Sequence, residues 1–332
     1  MVVIYIISSL VILWILSILI LRYRARTHTN KFILKFLRLL PSSFGFIPKV
    51  RGWSITTFRT NKSINELTML EIPKQHVWFQ IKNKECGGVA DPFLIKHDKV
   101  YYLFFEYEYK KHLYKDADIA YAISKDGINW KYKNKILEES FHQSFPYVFK
   151  MKGSFYMLPE SYQSNEVRLY KAVNFPEKWV LDTVLYEGKQ LVDTIFLVKD
   201  SVYYWFTTDL SANELLLFYS DSFKGEWKQH PCSPISKDLS NNRNAGSIIQ
   251  EKERCYRLAQ DATEGYGSGV NLFEIERISK QEYQEKLIKK PLLYKNKGMI
   301  KDAVHHVSIL EQDERIVAID GANFAIRGID IK

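Results

Sequence analysis

Hydrophobic and polar positions follow a phrase that returns at intervals of about fifty residues, the mark of a repeat architecture. ADPFLIKHDKVYYLFFE from Ala90, SFPYVFKMKGSFYMLPE from Ser144 and VDTIFLVKDSVYYWFTT from Val192 share one outline. Each is an apolar run, a short polar turn, and a second apolar or aromatic run. Looser copies follow as AGSIIQEKERCYRLAQD from Ala245 and HHVSILEQDERIVAID from His305. Two such runs joined by a turn predict a hairpin. The next stretch repeats too. IAYAISKDGINW from Ile119, VRLYKAVNFPEKW from Val167 and LLLFYSDSFKGEW from Leu215 each give a strand, a polar turn and a Trp. VNLFEIERISKQEY from Val270 has Tyr283 at that place. One unit is therefore four strands, and five units predict an all-β fold, a five-bladed β-propeller whose short edges are protected by the ring. The 21 Tyr and 20 Phe suit half-buried strands. Trp130, Trp179, Trp227 and Tyr283 are expected to pack blade against blade.

Val2 to Leu21 is apolar apart from Ser8, Ser9 and Ser17. A run of about twenty such residues predicts one N-terminal transmembrane helix ahead of the propeller. A cleaved signal peptide fits less well, because no basic residue precedes the run and no small-residue cleavage pattern follows it. Arg22, Arg24 and Arg26 come next, then Lys31, Lys35 and Arg38. Positive flanks stay on the cytoplasmic side, so the propeller is expected there. NKFILKFLRLL from Asn30 has its basic residues on one face. It reads as an amphipathic helix lying on lipid or packed on the propeller. The expected division is anchor 1–22, basic juxtamembrane segment 23–45 and propeller 46–332. WSITTFRT from Trp53 and HVWFQIK from His76 read as strands that can complete the last blade, as can the C-terminal FAIRGIDIK.

The formal charge is +9. Much of it lies in the juxtamembrane stretch, which points to membrane lipids as partners, and no nucleic-acid module is present. Cys86, Cys232 and Cys255 lack paired spacing and read as reduced thiols. No zinc pattern or cofactor motif appears.

In a propeller the starts of the inner strands crowd one mouth of the channel. The repeat alignment puts Asp91 there in blade one, Phe145 with His142 and Ser144 in blade two, and Asp193 in blade three. Arg243, Asn244 and Gly246 stand there in blade four, and His305 and His306 in blade five. The ends of the second strands carry Glu106, Glu160, Gln260 with Asp261, and Asp320. Asp320 precedes a Gly and reads as a turn residue. Carboxylates facing each other across a cleft divide acid and base roles when their surroundings separate their pKa values. Glycosidic bonds are usually handled by such pairs. Arg243, His305 and His306 offer charge for an anion such as phosphate.

ADPFLI, YYLFFE, the ISKDGINW turn, ILEESFHQSFPYVF, YMLPES, the FPEKW turn, and RLAQD followed by YG together resemble a known family. It is the propeller domain at the N-terminus of plant glucosamine inositolphosphorylceramide transferases and related bacterial proteins. A more distant resemblance is to five-bladed glycosidases of the arabinanase, levansucrase and invertase type. The first resemblance runs from about residue 75 to near the C-terminus. The transferase domain that follows the propeller in the plant enzymes has no counterpart before Lys332. The second implies an Asp in blade one, an Asp in blade three and a Glu acid in blade four. Asp91 and Asp193 match the first two, but blade four reads NNRNAGSI, without a Glu. Glu160 or a histidine would have to supply the proton, or the reaction differs. The expectation is a membrane-anchored propeller acting on a glycan or lipid-linked glycan by transfer, hydrolysis or phosphorolysis, in surface polysaccharide or glycolipid metabolism. Asp91 would be base or stabilising carboxylate, Asp193 would orient, and Glu160 would be the acid. Glu106, His142, Arg243, Gln260, Asp261, His305 and His306 would bind substrate. The alternative is a non-catalytic glycan-binding or scaffolding module that partners a separate glycosyltransferase.

Overall fold

The computed structural model describes residues 52–68, 72, 78–81, 83, 85–110, 116–295, 300–311 and 314–322. The apolar run from Val2, the amphipathic segment from Asn30 and the FAIRGIDIK segment lie outside the described residues. Among the described residues no helix is long and apolar enough to cross a membrane.

The first described strands are β1 (Trp53–Thr60) and β2 (Trp78–Phe79). Blade one is β3 (Cys86–His97), β4 (Val100–Tyr109), β5 (Ala117–Ser124) and β6 (Lys131–Leu137). Blade two is β7 (Ser144–Met151), β8 (Ser154–Glu160), β9 (Glu166–Asn174) and β10 (Lys178–Glu187). Blade three is β11 (Leu191–Lys199), β12 (Val202–Asp209), β13 (Glu214–Ser220) and β14 (Lys228–Gln229). Blade four is β15 (Ile249–Glu251), β16 (Arg254–Asp261), β17 (Gly269–Ile278) and β18 (Tyr283–Tyr294). β19 (Val307–Leu310) and β20 (Arg315–Ala322) open blade five. They are completed from the other end of the chain, in the order β19-β20-β1-β2. β1 pairs antiparallel with β20 from Trp53↔Ala322 to Thr60↔Arg315, and β2 pairs with β1. Both N-terminal strands therefore close the ring.

Three of the four turn aromatics, Trp130, Trp179 and Tyr283, pack against a neighbouring blade as their repeat position predicts. Trp179 of blade two meets Phe104 of blade one edge-on at 6.1 Å, and Tyr283 of blade four meets Phe206 of blade three at 5.7 Å. The Trp130 indole donates to Thr57 Oγ1 of blade five at 2.9 Å. Trp227 instead stacks within its own blade, on Trp205 at 4.4 Å. Buried aromatic pairs of this kind add about 0.5–1.5 kcal/mol beyond their area.

Three inner strands share a further device. The ladder slips between Ala90 and Phe93, between Ser144 and Tyr147, and between Val192 and Ile195. At each slip one residue is left-handed: Asp91 (φ 51°), Phe145 (φ 46°) and Asp193 (φ 51°). A bulge re-aims a side chain and bends its strand. A left-handed conformation at a non-glycine residue costs on the order of 1–3 kcal/mol and persists where the surroundings demand it. Blade four has Gly246 (φ 141°) near the same place. A Cβ there would lie 2.0 Å from the Val307 carbonyl oxygen, beside the Val307 N–H to Ala245 O bond of 2.8 Å that joins blades four and five. Gly246→Ala is expected to destabilise by about 2–5 kcal/mol through overpacking and backbone strain. Urea unfolding at fixed pH measures it, and a loss below about 1 kcal/mol would contradict this account.

All three bulges lie at the starts of the inner strands and so at one mouth of the channel. The far ends of the inner strands line an open cavity of about 520 Å³ of mixed character, with Phe149, Phe196 and Ile309 beside Lys150, Gln250 and Glu311.

Candidate functional site

The bulge in β3 turns the Asp91 carboxylate into the channel mouth, where three groups meet it. Its Oδ2 accepts the Phe145 N–H of blade two at 3.1 Å. Its Oδ1 lies 3.4 Å from His305 Nε2 and 3.4 Å from His306 Nδ1. Its own N–H points at Asp320 Oδ2, 3.3 Å away. Asp320, fully buried in β20, also accepts the backbone N–H groups of His305 and His306 through Oδ1, both at 3.0 Å. Its Oδ2 lies 2.6 Å from His305 Nδ1. Asp320 is thus the anchor of blade five in the mouth, not a turn residue. Gly321 continues the strand opposite Ser54.

Behind this layer His306 sits between the rings of Phe93 and Phe145, with centroids at 4.7 and 5.1 Å. The His305 ring lies under Trp53 at 4.3 Å and beside Tyr266 at 5.0 Å. Both histidines are almost wholly buried. The structure therefore places them as supports of Asp91.

The bulge in β11 does the same for Asp193. Arg243 Nε donates to Asp193 Oδ2 at 2.5 Å, and Gln260 Nε2 donates to the same oxygen at 3.1 Å. The Asn244 amide donates to the carbonyls of Asp193 and Phe206 at 2.8 and 3.1 Å. Asn244 is backed in turn by the buried Arg257, whose guanidinium pairs with Glu285 at 2.6 and 2.8 Å. Arg243 also reaches Glu160 Oε2 at 3.5 Å and so ties blade four to blade two.

The third group forms between blades one and two. His142 Nε2 stands 3.8 Å from Glu160 Oε1 and 3.9 Å from Glu106 Oε1, while Nδ1 meets Asp116 Oδ1 at 2.6 Å. The repeat equivalence of Glu106 and Glu160 thus places both carboxylates around one imidazole. Asp261 stands apart. It caps its own loop, accepting from Thr263 N and Oγ1 at 3.0 and 2.6 Å and from Asn271 Nδ2 at 3.2 Å. Neighbouring strand residues point to opposite faces, so once Gln260 turns toward Asp193, Asp261 turns away.

The electrostatics divide the carboxyls. Burial alone would raise Asp91, but the imidazoles of His306 and His305, each 3.4 Å from its Oδ1, hold it down at about 2. Burial, then the charge of Asp193, push Glu160 up to about 8 against the opposing pull of Arg243 and His142. Burial and the charge of Asp91 raise Glu106 well above the carboxylate range. Burial would lower His305, yet Asp320 and Asp91 lift it to about 9. Burial likewise opposes His142, but Asp116 and Glu160 raise it. The surroundings thus push Asp91 and Glu160 of one mouth in opposite directions, the separation that acid–base division requires. Asp91, His305 and Asp320 are also the group among the described residues whose ligand atoms converge, all within 4.8 Å. A metal there would have to displace the proton that the two carboxylates hold on His305.

Sequence reasoning missed Trp53, Asp116 and Tyr266. Trp53 comes from the closing strand, Asp116 from the end of a connection, and Tyr266 from the loop after RLAQD. Only the YG of that loop was visible as a phrase.

Comparison with known proteins gives consistent results. The family model described as "Glucosamine inositolphosphorylceramide transferase 1, N-terminal" matches residues 80–322. The glucosamine inositolphosphorylceramide transferase 1 of Oryza sativa subsp. japonica is 35% identical over 205 residues, which is 59% of this chain and 27% of that protein. The Arabidopsis thaliana protein of the same name is 36% identical over 205 residues, 59% of this chain and 26% of that protein. The chain thus matches about a quarter of the length of these relatives. Among solved structures, the β-1,2-mannobiose phosphorylase of Listeria innocua aligns with a TM-score of 0.56 at 11% identity, covering 80% of this chain and 96% of that one. At that identity the likeness speaks for the five-bladed fold alone.

Proposed function

Because the chain belongs to the glucosamine inositolphosphorylceramide transferase 1 N-terminal family, we propose that it acts on a glycan or glycolipid at the mouth that carries Asp91, Asp193 and Glu160. One observation carries the reading: matching bulges aim Asp91 and Asp193 into one mouth, where Arg243 joins Asp193 to Glu160 at 2.5 and 3.5 Å. Glu160 is the proton donor to a leaving oxygen. Asp91 is the carboxylate that accepts a proton from the attacking hydroxyl or faces the developing positive charge. Asp193, clamped by Arg243 and Gln260, orients the sugar. The basic groups offered for phosphate are already in contact with carboxylates, Arg243 with Asp193 and His305 with Asp320. That favours transfer to a hydroxyl or to water over phosphorolysis. The apolar run from Val2 anchors the protein in a membrane, with the propeller on the cytoplasmic side, so that enzyme and a lipid-linked substrate share one surface.

A second reading has one observation in its favour. At the blade-four place where the distant glycosidases carry an acid, this chain has Arg243 and Asn244, with Gln260 beside them. A glycan-binding module serving a separate glycosyltransferase needs no acid there. The full-length protein in nanodiscs, incubated with glycosides, nucleotide sugars and lipid-linked sugars, separates the two. Asp91→Asn and Asp193→Asn are each expected to lower turnover by about 10²–10⁴-fold. Binding without turnover in the unmutated protein, or turnover indifferent to both substitutions, would leave the module reading standing.

A further inference from the structure

Tyr266 is the feature of the mouth that the acid–base reading leaves unused. It is 38% exposed, yet it is held at a defined place. Its loop runs from Ala262 to Ser268 and is closed by Gly265 N–H to Ala262 O at 3.0 Å and Ser268 Oγ to Gly265 O at 2.6 Å. The Val304 N–H to Gly267 O bond, 2.8 Å, ties the loop to blade five. Gly265 (φ 105°) and Gly267 (φ 75°) flank the tyrosine in conformations that glycine alone adopts at little cost. A Cβ on Gly267 would lie 2.7 Å from the Ala303 Cβ and 3.2 Å from the Trp53 ring. The loop is thus seated against the closing strand with no room to shift inward.

The ring so held stands between the two aspartate centres. Arg243 Cζ, which belongs to the Asp193 clamp, lies 5.5 Å from its centroid. The His305 ring, which supports Asp91, meets it edge-on at 5.0 Å, and Trp53 at 6.2 Å. Trp53 fills the space behind His305 and is itself buried, so core filling does not require the exposed tyrosine. An aromatic side chain kept partly in water, with Arg243 over one face and carboxylates nearby, has the usual make-up of a ligand wall, apolar surface with a few placed polar groups. A pyranose ring matches it. Its C–H bonds carry slight positive charge and meet the negative face of the ring, while its rim hydroxyls reach the carboxylates.

We propose that Tyr266 is the stacking wall of a sugar subsite that takes an uncharged pyranose ring between Asp193–Arg243 and Asp91–His305. This rests on the glycan reading above and names the residue that selects the ring.

The test uses the full-length protein in nanodiscs and the methyl glycosides of glucose, galactose, mannose and N-acetylglucosamine, with glucuronic acid as the charged control. Binding is read by saturation-transfer NMR and by tryptophan fluorescence. Tyr266→Phe is expected to stay within about threefold of the unmutated protein. Tyr266→Leu, which fills similar volume without a π face, is expected to bind about tenfold more weakly at unchanged Tm. Glucuronic acid should bind more weakly than its neutral counterpart. Equal binding by the Leu and Phe variants would overturn the stacking wall and leave the glycan reading intact. If the unmutated protein binds none of the neutral glycosides, both fall, and Asp91→Asn then has nothing to report.

Discussion

Asp320→Ala should cost this protein about 3–5 kcal/mol of stability, the range for removing one partner from a buried charged network. The side chain is fully buried and accepts three backbone N–H groups, those of Asp91, His305 and His306, besides facing His305 Nδ1. Alanine would leave those donors without an acceptor and a buried imidazolium short of its main counter-charge. Asp320→Asn keeps a carbonyl oxygen for part of the set and should lose roughly half as much. The same network gives stability a pH signature. His305 titrates near 9 when folded, above its ordinary 6.5. Its contribution is therefore fully present below about 6.5 and is lost as pH rises through 9. Denaturant titrations between pH 6 and 10 should show that decline in the unmutated protein and a flattened one in Asp320→Ala. A loss under about 1 kcal/mol, or an unchanged alkaline slope, would mean that the anchor role is wrong.

Turnover should fall as pH rises through about 8, because the proposed donor Glu160 carries its proton only below that point. Glu160→Gln keeps the shape and removes the proton, so kcat should drop by about 10²–10⁴-fold and the alkaline limb should disappear. Binding should survive, since Arg243 keeps its stronger contact to Asp193. Stability moves in the same direction. A carboxyl raised from 4.5 to about 8 favours the folded state fully below 4.5 and ceases to do so as pH rises through 8. Glu160→Gln should therefore be at least as stable as the unmutated protein at pH 9. An alkaline limb that persists in Glu160→Gln would assign the proton to another group, with His142 the nearest.

Much of this was legible in the chain because a propeller writes its geometry locally. Each hairpin is a short contiguous phrase, and aligning phrases aligns blades. The equivalence of Asp91 and Asp193 followed from register alone, and the bulges show why it holds: both side chains are aimed by the same slip in the ladder. The limits are physical as well. Gln260 and Asp261 are neighbours of opposite facing, and a phrase does not say which of two polar residues looks inward. Asp320 before Gly321 reads as a turn until β1 supplies a partner strand that carries the extended backbone through. Trp53 belongs to the mouth only because β1 pairs with the distant β20, and no local pattern reports a contact across the whole ring.

That closure also sets an order of events. β1 is made early but its partner β20 comes last, so the strand spends the growth of the chain with its hydrogen-bonding edge unclaimed. Such long-range pairings fold slowly, and the waiting edge invites association with other chains. The mouth is completed at the same moment, since His305 and Asp320 arrive with the last two strands and only then meet the waiting Trp53. A half-made propeller holds Asp193 but has no Asp320 or His305 to support Asp91. Maturation and competence are then one event, and a chaperone that shields β1 until the ring shuts would also govern when the site first exists.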